Sequence, residues 1–491
     1  MKKETIILIV IFAVALIFRL IFAFTQDFDY GAYYHLRQIE HITKTALPII
    51  HDNLSYGGRT FIITPLFHYI LAFFNIFMPL QFAAKLIPNI FATALVFIIY
   101  GISKKLTANP NIAMLTAAVS AFIPAFLKLT ITTASPYSLA IPLIFLALYF
   151  IMELNEKKSI YGFLALTFIL PVTSPISLIF IIALLFYFVL VKIERLKQPT
   201  QQLELILFAT FAISWITFII HKSALLLHGS AALFQNIPEA ARQVFFPGAT
   251  ISYSVISIGL IPLIGGIFTI YTHLFKTKER NAYQYIALVA FTAILLWAKL
   301  LQPTIALAII GIALLPLLAI AMETTAKEIK LTRFANHMLI FKIILITALI
   351  TTSFIPSIAA AMDKTNQPSK ELKEALLWLK SKEQGITLSA VKEGHIVTEI
   401  AEMQNVADTN FFLAPNPAQR IADINSIYTT ASETAAIGLL NKYNVKYIIW
   451  TPEAKKEFNI SKINYITDKK CFDKIYDNKG IAIYKSLCKI D

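Results

Sequence analysis

Apolar runs about 20 residues long recur from about residue 5 to about residue 358 of this 491-residue chain. Each run is long enough to cross the hydrocarbon core of a bilayer, which is about 30 Å thick. The chain is 57% hydrophobic with a mean hydropathy of +0.67, whereas soluble domains contain roughly 45–50% apolar residues. The sequence therefore predicts a polytopic α-helical membrane protein over 1–360. From residue 361 onward the apolar runs shorten and charges of both signs appear, which indicates a separate water-soluble domain over 361–491.

The apolar runs predict about eleven transmembrane helices, and the loops between them alternate in charge. The predicted spans are 5–25, 84–103, 110–128, 133–153, 159–176, 177–191, 203–221, 252–275, 283–300, 303–322 and 336–358. Every second loop is basic: Lys2 and Lys3; Lys104 and Lys105; Lys157 and Lys158; Lys192, Arg195 and Lys197; Lys276, Lys278 and Arg280; Lys327, Lys330 and Arg333. Because cytoplasmic loops carry the excess of lysine and arginine, we expect a cytoplasmic N-terminus in the cell membrane and an extracellular 361–491 domain.

One further apolar stretch, "FIITPLFHYILAFFNIFMPL" at 61–80, has the composition of a span. Counting it as a span would invert every later loop and place five basic clusters outside the cell. We therefore expect it to lie as an interfacial or re-entrant helix within one long external loop, 26–83.

The net charge of +14 raises the question of a nucleic-acid partner. Most of the basic residues lie in the short loops between spans, where they act as topology signals. Anionic membrane lipids are the expected partner, and nucleic acid is not.

Two carboxylates, Asp27 and Asp29, stand where the first span meets water, in "QDFDYGAYYHLR" (26–37), and an amphipathic helix follows. One interpretation is structural: either residue accepts bonds from free backbone N–H groups as an N-cap. The other is chemical: two neighbouring carboxylates repel each other unless a cation lies between them, and Mg²⁺ or Mn²⁺ prefers carboxylate oxygens. Arg19, near the outer end of the first span, is expected to snorkel or to pair with Asp27.

The sequence resembles the GT-C membrane glycosyltransferases in three segments: the acidic motif, the "YYHLR" after it, and "PLFHY" about thirty residues further on. Within them the chain looks most like the archaeal oligosaccharyltransferase catalytic subunits. "ELKEALLWLK" (371–380) and the stretch 405–450, with its "VAD" turn and "KYNVKYIIW" strand, resemble the external domain of that family. "YNVKYIIW" is also β-rich and follows an amphipathic helix, which indicates an α/β domain.

The resemblance implies a GT-C fold and a sugar donor carried on polyprenyl phosphate or pyrophosphate. It places Asp29 beside a divalent metal and the acceptor, with Asp27 as its acidic neighbour. His35 and Arg37 are expected to bind phosphate or acceptor, because a guanidinium forks onto phosphate oxygens; the alternative is that they anchor lipid headgroups. Tyr33, on the same helix, is a further candidate for substrate binding.

A glutamate in a later external loop touches metal and acceptor in that family. "NIPEAARQVFFPG" (236–248) offers Glu239 for this catalytic and metal-binding role, with Arg242 as a substrate-binding candidate. The structural alternative is an interfacial helix with an i,i+3 Glu–Arg pair.

Two features differ from the family pattern. The tryptophan-rich "WWDYG" signature is expected near 390–394, where this chain reads "AVKEG" followed by His395. The second acidic motif is expected between the third and fourth spans, where "TITTASPYSLAIPL" (130–143) contains no carboxylate.

The function predicted from these observations is transfer of a sugar or oligosaccharide from a lipid-linked donor to an external protein or glycan acceptor. The missing "WWDYG" leaves open a polyprenyl-phosphate-monosaccharide transferase that acts on a lipid or glycan. The missing second acidic motif leaves open a non-catalytic relative that assists a complex. A transporter is disfavoured, because ionisable groups at mid-membrane and interrupted helices in repeated positions are not evident.

The two cysteines, Cys471 and Cys488, flank a predicted β-hairpin around "DNKG". Either a disulfide joins the ends of this hairpin or both thiols are free.

Overall fold

The computed structural model describes residues 3–197, 199–466 and 470–489. The chain divides into two compact units, each built from segments that are distant in sequence. The helical unit comprises the N-terminal segment up to Gln26, Thr64–Ile220 and Phe246–Lys364. The mixed unit comprises Asp27–Ile63, His221–Phe245 and the C-terminal segment from Thr365.

The helical unit consists of apolar α-helices joined by short connections. They are Lys3–Thr25, Leu66–Asn75, Leu80–Thr93, Leu95–Thr107, Pro110–Ser120, Pro124–Thr130, Tyr137–Ile151, Lys157–Thr173, Ser177–Ile193, Thr200–His228 (which runs past the unit boundary), Ile251–Ile258, Leu260–Phe275, Arg280–Trp297, Pro303–Lys330, Met338–Leu349 and Ile355–Met362. The Pro303–Lys330 helix forms the centre of the unit, since 94% of its most apolar window is buried.

Fewer helices than predicted have the length and composition of a full span. Within the described residues, five are long and apolar enough to cross a membrane, or up to seven if each of two bent helix pairs counts as one span. The helices in the predicted spans 133–153 and 177–191 are only 15 and 17 residues long. A helical membrane protein is confirmed, and eleven spans are not.

Residues 61–80 contain the ten-residue helix Leu66–Asn75. At 1.5 Å per residue it is about 15 Å long, half of the bilayer core. This helix alone is too short to cross the membrane, and the placement of the stretch within an external loop stays a prediction.

One of the bent pairs turns at a glycine. Ile251–Ile258 and Leu260–Phe275 meet at an angle of 97°. Gly259 between them has a φ of 95°, which residues with a Cβ rarely adopt, and a Cβ there would collide with the Ser353 hydroxyl. The residue therefore fixes a bend that the hydropathy of 252–275 does not reveal.

Arg19 neither snorkels nor pairs with Asp27, contrary to expectation. Its side chain is buried inside the helical unit, where Nε donates to Asn89 Oδ1 at 3.0 Å and Nη2 donates to the Thr130 hydroxyl. Amide and hydroxyl oxygens thus satisfy the guanidinium, and no carboxylate of the described residues forms an ion pair with it.

A five-stranded sheet organises the mixed unit. The strand order is Gln404–Asn405, Ile386–Leu388, Val445–Trp450, Ile481–Ser486 and Phe472–Asn478. The first three strands are parallel and the last two are antiparallel to their neighbours. A separate two-stranded ribbon pairs His51–Asp52 with Arg59–Thr60. The helices of the unit are Ala32–Thr45, Glu239–Phe245, Lys370–Lys380, Gly394–Ile396, Pro417–Thr429, Glu433–Lys442 and Pro452–Glu457.

The C-terminal hairpin is closed by a disulfide between Cys471 and Cys488, so the alternative of free thiols is excluded. The strand predicted from "YNVKYIIW" is present as Val445–Trp450, and it follows the amphipathic helix Glu433–Lys442.

Candidate functional site

The side chain of Asp29 does not cap the helix that follows it. The Ala32–Thr45 helix has Gly31 at its N-cap position and no side-chain cap hydrogen bond. Instead, Asp29 Oδ2 accepts a hydrogen bond from Asn366 Nδ2 at 3.2 Å. The carbonyl of Asn366 also accepts from the Tyr30 backbone N–H at 3.0 Å, so Asn366 holds the acidic motif at two points. The structural interpretation of Asp29 as an N-cap is therefore wrong.

The negative charge of Asp27 is balanced by a lysine that was not identified from the sequence. Lys373 Nζ lies 2.6 Å from Asp27 Oδ1 and comes from the Lys370–Lys380 helix. The repulsion between the two carboxylates is thus relieved by one ammonium and one amide, both supplied by residues 366–373. Since 346 positions separate the two partners, no local pattern could have indicated this ion pair.

Tyr33 connects the acidic motif to a third carboxylate. Its ring is 5% exposed and lies one helical turn after Asp29. Burial raises the pKa of Tyr33, and the nearby carboxylates of Asp27, Glu399 and Asp29 raise it further. The three carboxylates therefore lie within electrostatic reach of one phenol.

Glu399 was not predicted as a site residue. It lies in the π-helical turn Val397–Ala401, and short turns of this kind are frequent at functional sites. Burial raises the pKa of Glu399 to about 7, Glu40 raises it as well, and Arg37 acts in the opposite direction.

Arg37 is engaged by a buried carboxylate. Its Nη1 and Nη2 donate to Asp52 Oδ2 and Oδ1 at 2.7 and 2.6 Å, and Asp52 is 1% exposed. This two-bond fork is the geometry that a phosphate would otherwise take. His35, two residues earlier, packs its ring edge against Tyr34 with the centroids 5.2 Å apart.

Glu239 and Arg242 lie on the seven-residue Glu239–Phe245 helix. Glu239 is exposed, and the Arg242 guanidinium stacks 4.2 Å above the ring centroid of Phe234. Among the described residues, neither an ion pair between these two side chains nor a contact of either with Asp29 is present.

The family resemblance implies a metal site that includes Asp29 and Glu239. No cluster of three His, Cys, Asp or Glu side chains in the described part of the chain could hold a metal ion. Asp27 is bound to Lys373. A divalent metal held by Asp29 and Glu239 together with phosphate oxygens of a donor would need fewer protein ligands, and it stays a prediction.

The "VAD" turn supplies a buried polar cluster in the mixed unit. Asp408 is fully buried and accepts hydrogen bonds from Ser55 Oγ at 2.6 Å, the Asn410 N–H at 3.0 Å and Asn405 Nδ2 at 3.3 Å. Arg59 Nη2 and His395 Nε2 each lie 3.7 Å from Asp408 Oδ1. Burial alone would raise the pKa of Asp408, but His395, Arg59 and the hydrogen bonds hold it below its usual value. This cluster ties the 51–60 ribbon to residues 394–410.

The "AVKEG" segment places charged side chains beside the acidic motif. Lys392 Nζ lies 5.0 Å above the ring centroid of Tyr30 and 3.1 Å from Glu453 Oε1. Glu393 is fully buried, and burial raises its pKa to about 8. In place of an aromatic surface, this protein therefore has an ammonium–carboxylate pair over Tyr30.

No protein-family model matches the sequence, and no curated protein matches it significantly. Solved structures do match. The Archaeoglobus fulgidus oligosaccharyltransferase has a TM-score of 0.72 at 14% identity, over 96% of this chain and 73% of that one. ArnT from Cupriavidus metallidurans, bound to undecaprenyl phosphate, has a TM-score of 0.59 at 10% identity, over 98% of both chains. The mycobacterial arabinofuranosyltransferase AftD has a TM-score of 0.65 at 11% identity, over 97% of this chain and 40% of that one.

All three are GT-C glycosyltransferases. The GT-C fold predicted from the resemblance is therefore confirmed, in a divergent form. The archaeal enzyme has also been seen with a dolichol-phosphate and an inhibitory peptide, and with zinc and sulfate. At these identities the likeness establishes the fold, and the activity has to be argued from the site.

Proposed function

We propose that this protein is a membrane glycosyltransferase that transfers a sugar or oligosaccharide from a polyprenyl-(pyro)phosphate donor to an external acceptor. The proposal rests on the position of Asp29 in a GT-C fold. Its carboxylate accepts a hydrogen bond from Asn366 and does not cap the helix that follows. In the proposed reaction this carboxylate accepts a hydrogen bond from the O–H or N–H of the acceptor. A fixed negative group stabilises the positive charge that develops on the nucleophile as it attacks the sugar.

A cavity in the helical unit supports a lipid donor. It has a volume of about 390 Å³ and lies between the helices Pro124–Thr130, Ile251–Ile258 and Ile355–Met362. Its wall is mainly apolar, and Lys128 lines it while paired with Asp363 at 2.6 Å. The apolar walls suit a polyprenyl chain, while the Lys128–Asp363 pair in the lining has no net charge.

Two other functions each have an observation in their favour. A monosaccharide transferase that acts on a lipid or glycan acceptor is favoured by the charged "AVKEG" segment. It is also favoured by the structural match to ArnT, which covers 98% of both chains. The absence of a metal-holding cluster from the described residues favours a non-catalytic relative that assists a complex.

The test uses membranes from cells that produce the protein and from matched cells that do not. Both are supplied with a labelled pool of native lipid-linked sugars. Transfer of label to protein, glycan or lipid acceptors only in the first preparation supports the proposal, and the labelled product distinguishes the two enzymatic candidates. Equal labelling in both would favour the non-catalytic relative.

The proposed orientation places the mixed unit outside the cell, with the N-terminus in the cytoplasm. Alternating loop charge supports it. The Cys471–Cys488 disulfide supports it too, because disulfides persist in oxidising compartments.

Labelling of single engineered cysteines tests this orientation. Because both native cysteines are bonded, an added cysteine is the sole free thiol. With S381C in the mixed unit, we expect a membrane-impermeant maleimide to react in intact cells. With K158C in a basic loop, we expect reaction only after lysis. The reverse pattern would overturn the orientation.

A further inference from the structure

The two aspartates of the acidic motif differ in their partners, and the inference drawn from this difference rests on the proposed function. Phe28 and Tyr30 are each 5% exposed, whereas Asp27 and Asp29 are partly exposed. This alternation indicates that both carboxylates lie on the same side of the chain. Two carboxylates in such a position repel each other, so their arrangement depends on the groups that bind them.

Two residues of the 366–373 stretch contact the motif directly. Lys373 Nζ lies 2.6 Å from Asp27 Oδ1, and the two side chains are only 27% and 33% exposed. Asn366 Nδ2 donates to Asp29 Oδ2 at 3.2 Å. The lysine thus engages one carboxylate and the asparagine engages the other.

The Lys370–Lys380 helix, which carries Lys373, is packed firmly into the mixed unit. One face of this helix is buried through four apolar side chains: Leu372, Ala375, Leu376 and Leu379. Trp378 packs against Tyr476 of the C-terminal hairpin, with the ring centroids 5.0 Å apart. Lys373 is therefore presented by a fixed element, and a functional group held in this way keeps its geometry better than one on a loop.

We propose that the Asp27–Lys373 ion pair is a positioning device for the transfer reaction and that Asp27 does not act on the substrate itself. The pair fixes the start of the acidic motif, so that the Asp29 carboxylate meets the acceptor in one orientation. Asn366 supports the same orientation through its hydrogen bond to Asp29. Orientation matters for the rate, because a displacement of about 1 Å at a reacting group costs about 100-fold.

A double-mutant cycle on the transfer rate tests this role. D27A and K373M are each expected to lower kcat by about 10- to 100-fold with little change in the KM for the donor, because orientation is lost and binding is not. If the two residues act only through their mutual contact, the double variant loses no more than either single variant. K380M is the matched control: on the same helix it breaks the ion pair of Lys380 with Glu402, which is 2.7 Å long, and wild-type kinetics are expected.

Thermal unfolding and a conservative variant distinguish positioning from a purely structural role. K373M is expected to change the melting temperature little, because partly exposed ion pairs contribute little to stability. K373R keeps the positive charge and is expected to retain most of the activity. A fall in the rate that only follows the amount of folded protein would show a structural role and would overturn the inference.

The remaining outcomes separate this inference from the proposed function. Additive losses in D27A and K373M would show independent roles, and a raised KM for the donor in K373M would show that the lysine binds the donor. Either result overturns the positioning role, as does wild-type activity of both variants while D29N is inactive. No transfer by the wild-type protein overturns both proposals. If K373M does not accumulate, K373R decides, and a loss of kcat in folded K373R as large as that in D27A counts against the inference.

Discussion

Replacing Asp29 with asparagine is expected to reduce sugar transfer by about 100- to 1000-fold while the amount of folded protein stays the same. A carboxylate that stabilises developing charge is worth about this factor in rate. Asparagine preserves the shape of the side chain and can keep a hydrogen bond to Asn366. The helix start is not at risk, since Asp29 does not cap it and asparagine caps as well as aspartate does.

The assay for D29N is label transfer from lipid-linked sugars in membranes, with protein quantified in parallel. D473N is the matched control, because it makes the same chemical change at an exposed position of a strand in the mixed unit. Wild-type transfer by D29N would show that Asp29 has no part in catalysis and would leave the non-catalytic relative as the better account.

The second large effect is expected at Asp408, on stability. D408A removes the acceptor of three hydrogen bonds and leaves the buried Arg59 guanidinium without its counter-charge. Removal of one partner from a buried ion pair typically costs about 3–5 kcal/mol. For a unit of this size, that loss corresponds to a fall of about 10 °C in the melting temperature.

Thermal unfolding of the purified protein in detergent measures this effect. D477A is the comparison variant, since Asp477 is 58% exposed and pairs only with the nearby Lys474. Exposed pairs of this kind contribute about 0–1 kcal/mol, so little change is expected. Equal melting temperatures for D408A and D477A would contradict the view that Asp408 holds the 51–60 ribbon in place.

Hydropathy and loop charge predicted the class of this protein because they depend on composition along the chain. The apolar helices up to Met362 were accessible in this way, and the Val445–Trp450 strand was accessible from its β-rich composition. The number of helices that cross the membrane fully could not be predicted from hydropathy and loop charge. Bends such as the one at Gly259 divide helices without any change in hydropathy.

The acidic motif was recognisable from sequence, but the partners of its residues were not. Lys373 and Asn366 reach Asp27 and Asp29 from more than 300 residues away. Arg37 illustrates the same limit: its place beside the motif suggested phosphate binding, and nothing in the sequence indicated that Asp52 would accept two of its hydrogen bonds.

The metal site predicted from Asp29 and Glu239 relied on spacing within a family pattern. In the described structure no cluster of three potential ligands forms. Glu399, which no motif contains, is a third carboxylate that raises the pKa of Tyr33, beside Asp27 and Asp29.

The most direct test of the central claim is donor turnover by the purified protein. Wild-type protein and D29N are placed in lipid vesicles with an extract of native lipid-linked sugars and acceptors, and the polyprenyl phosphate or polyprenyl pyrophosphate released is measured by mass spectrometry. A glycosyltransferase that uses Asp29 releases one of these lipids in the wild-type vesicles and at least about 100-fold less in D29N. The same background release from wild-type, D29N and protein-free vesicles would contradict the proposed activity.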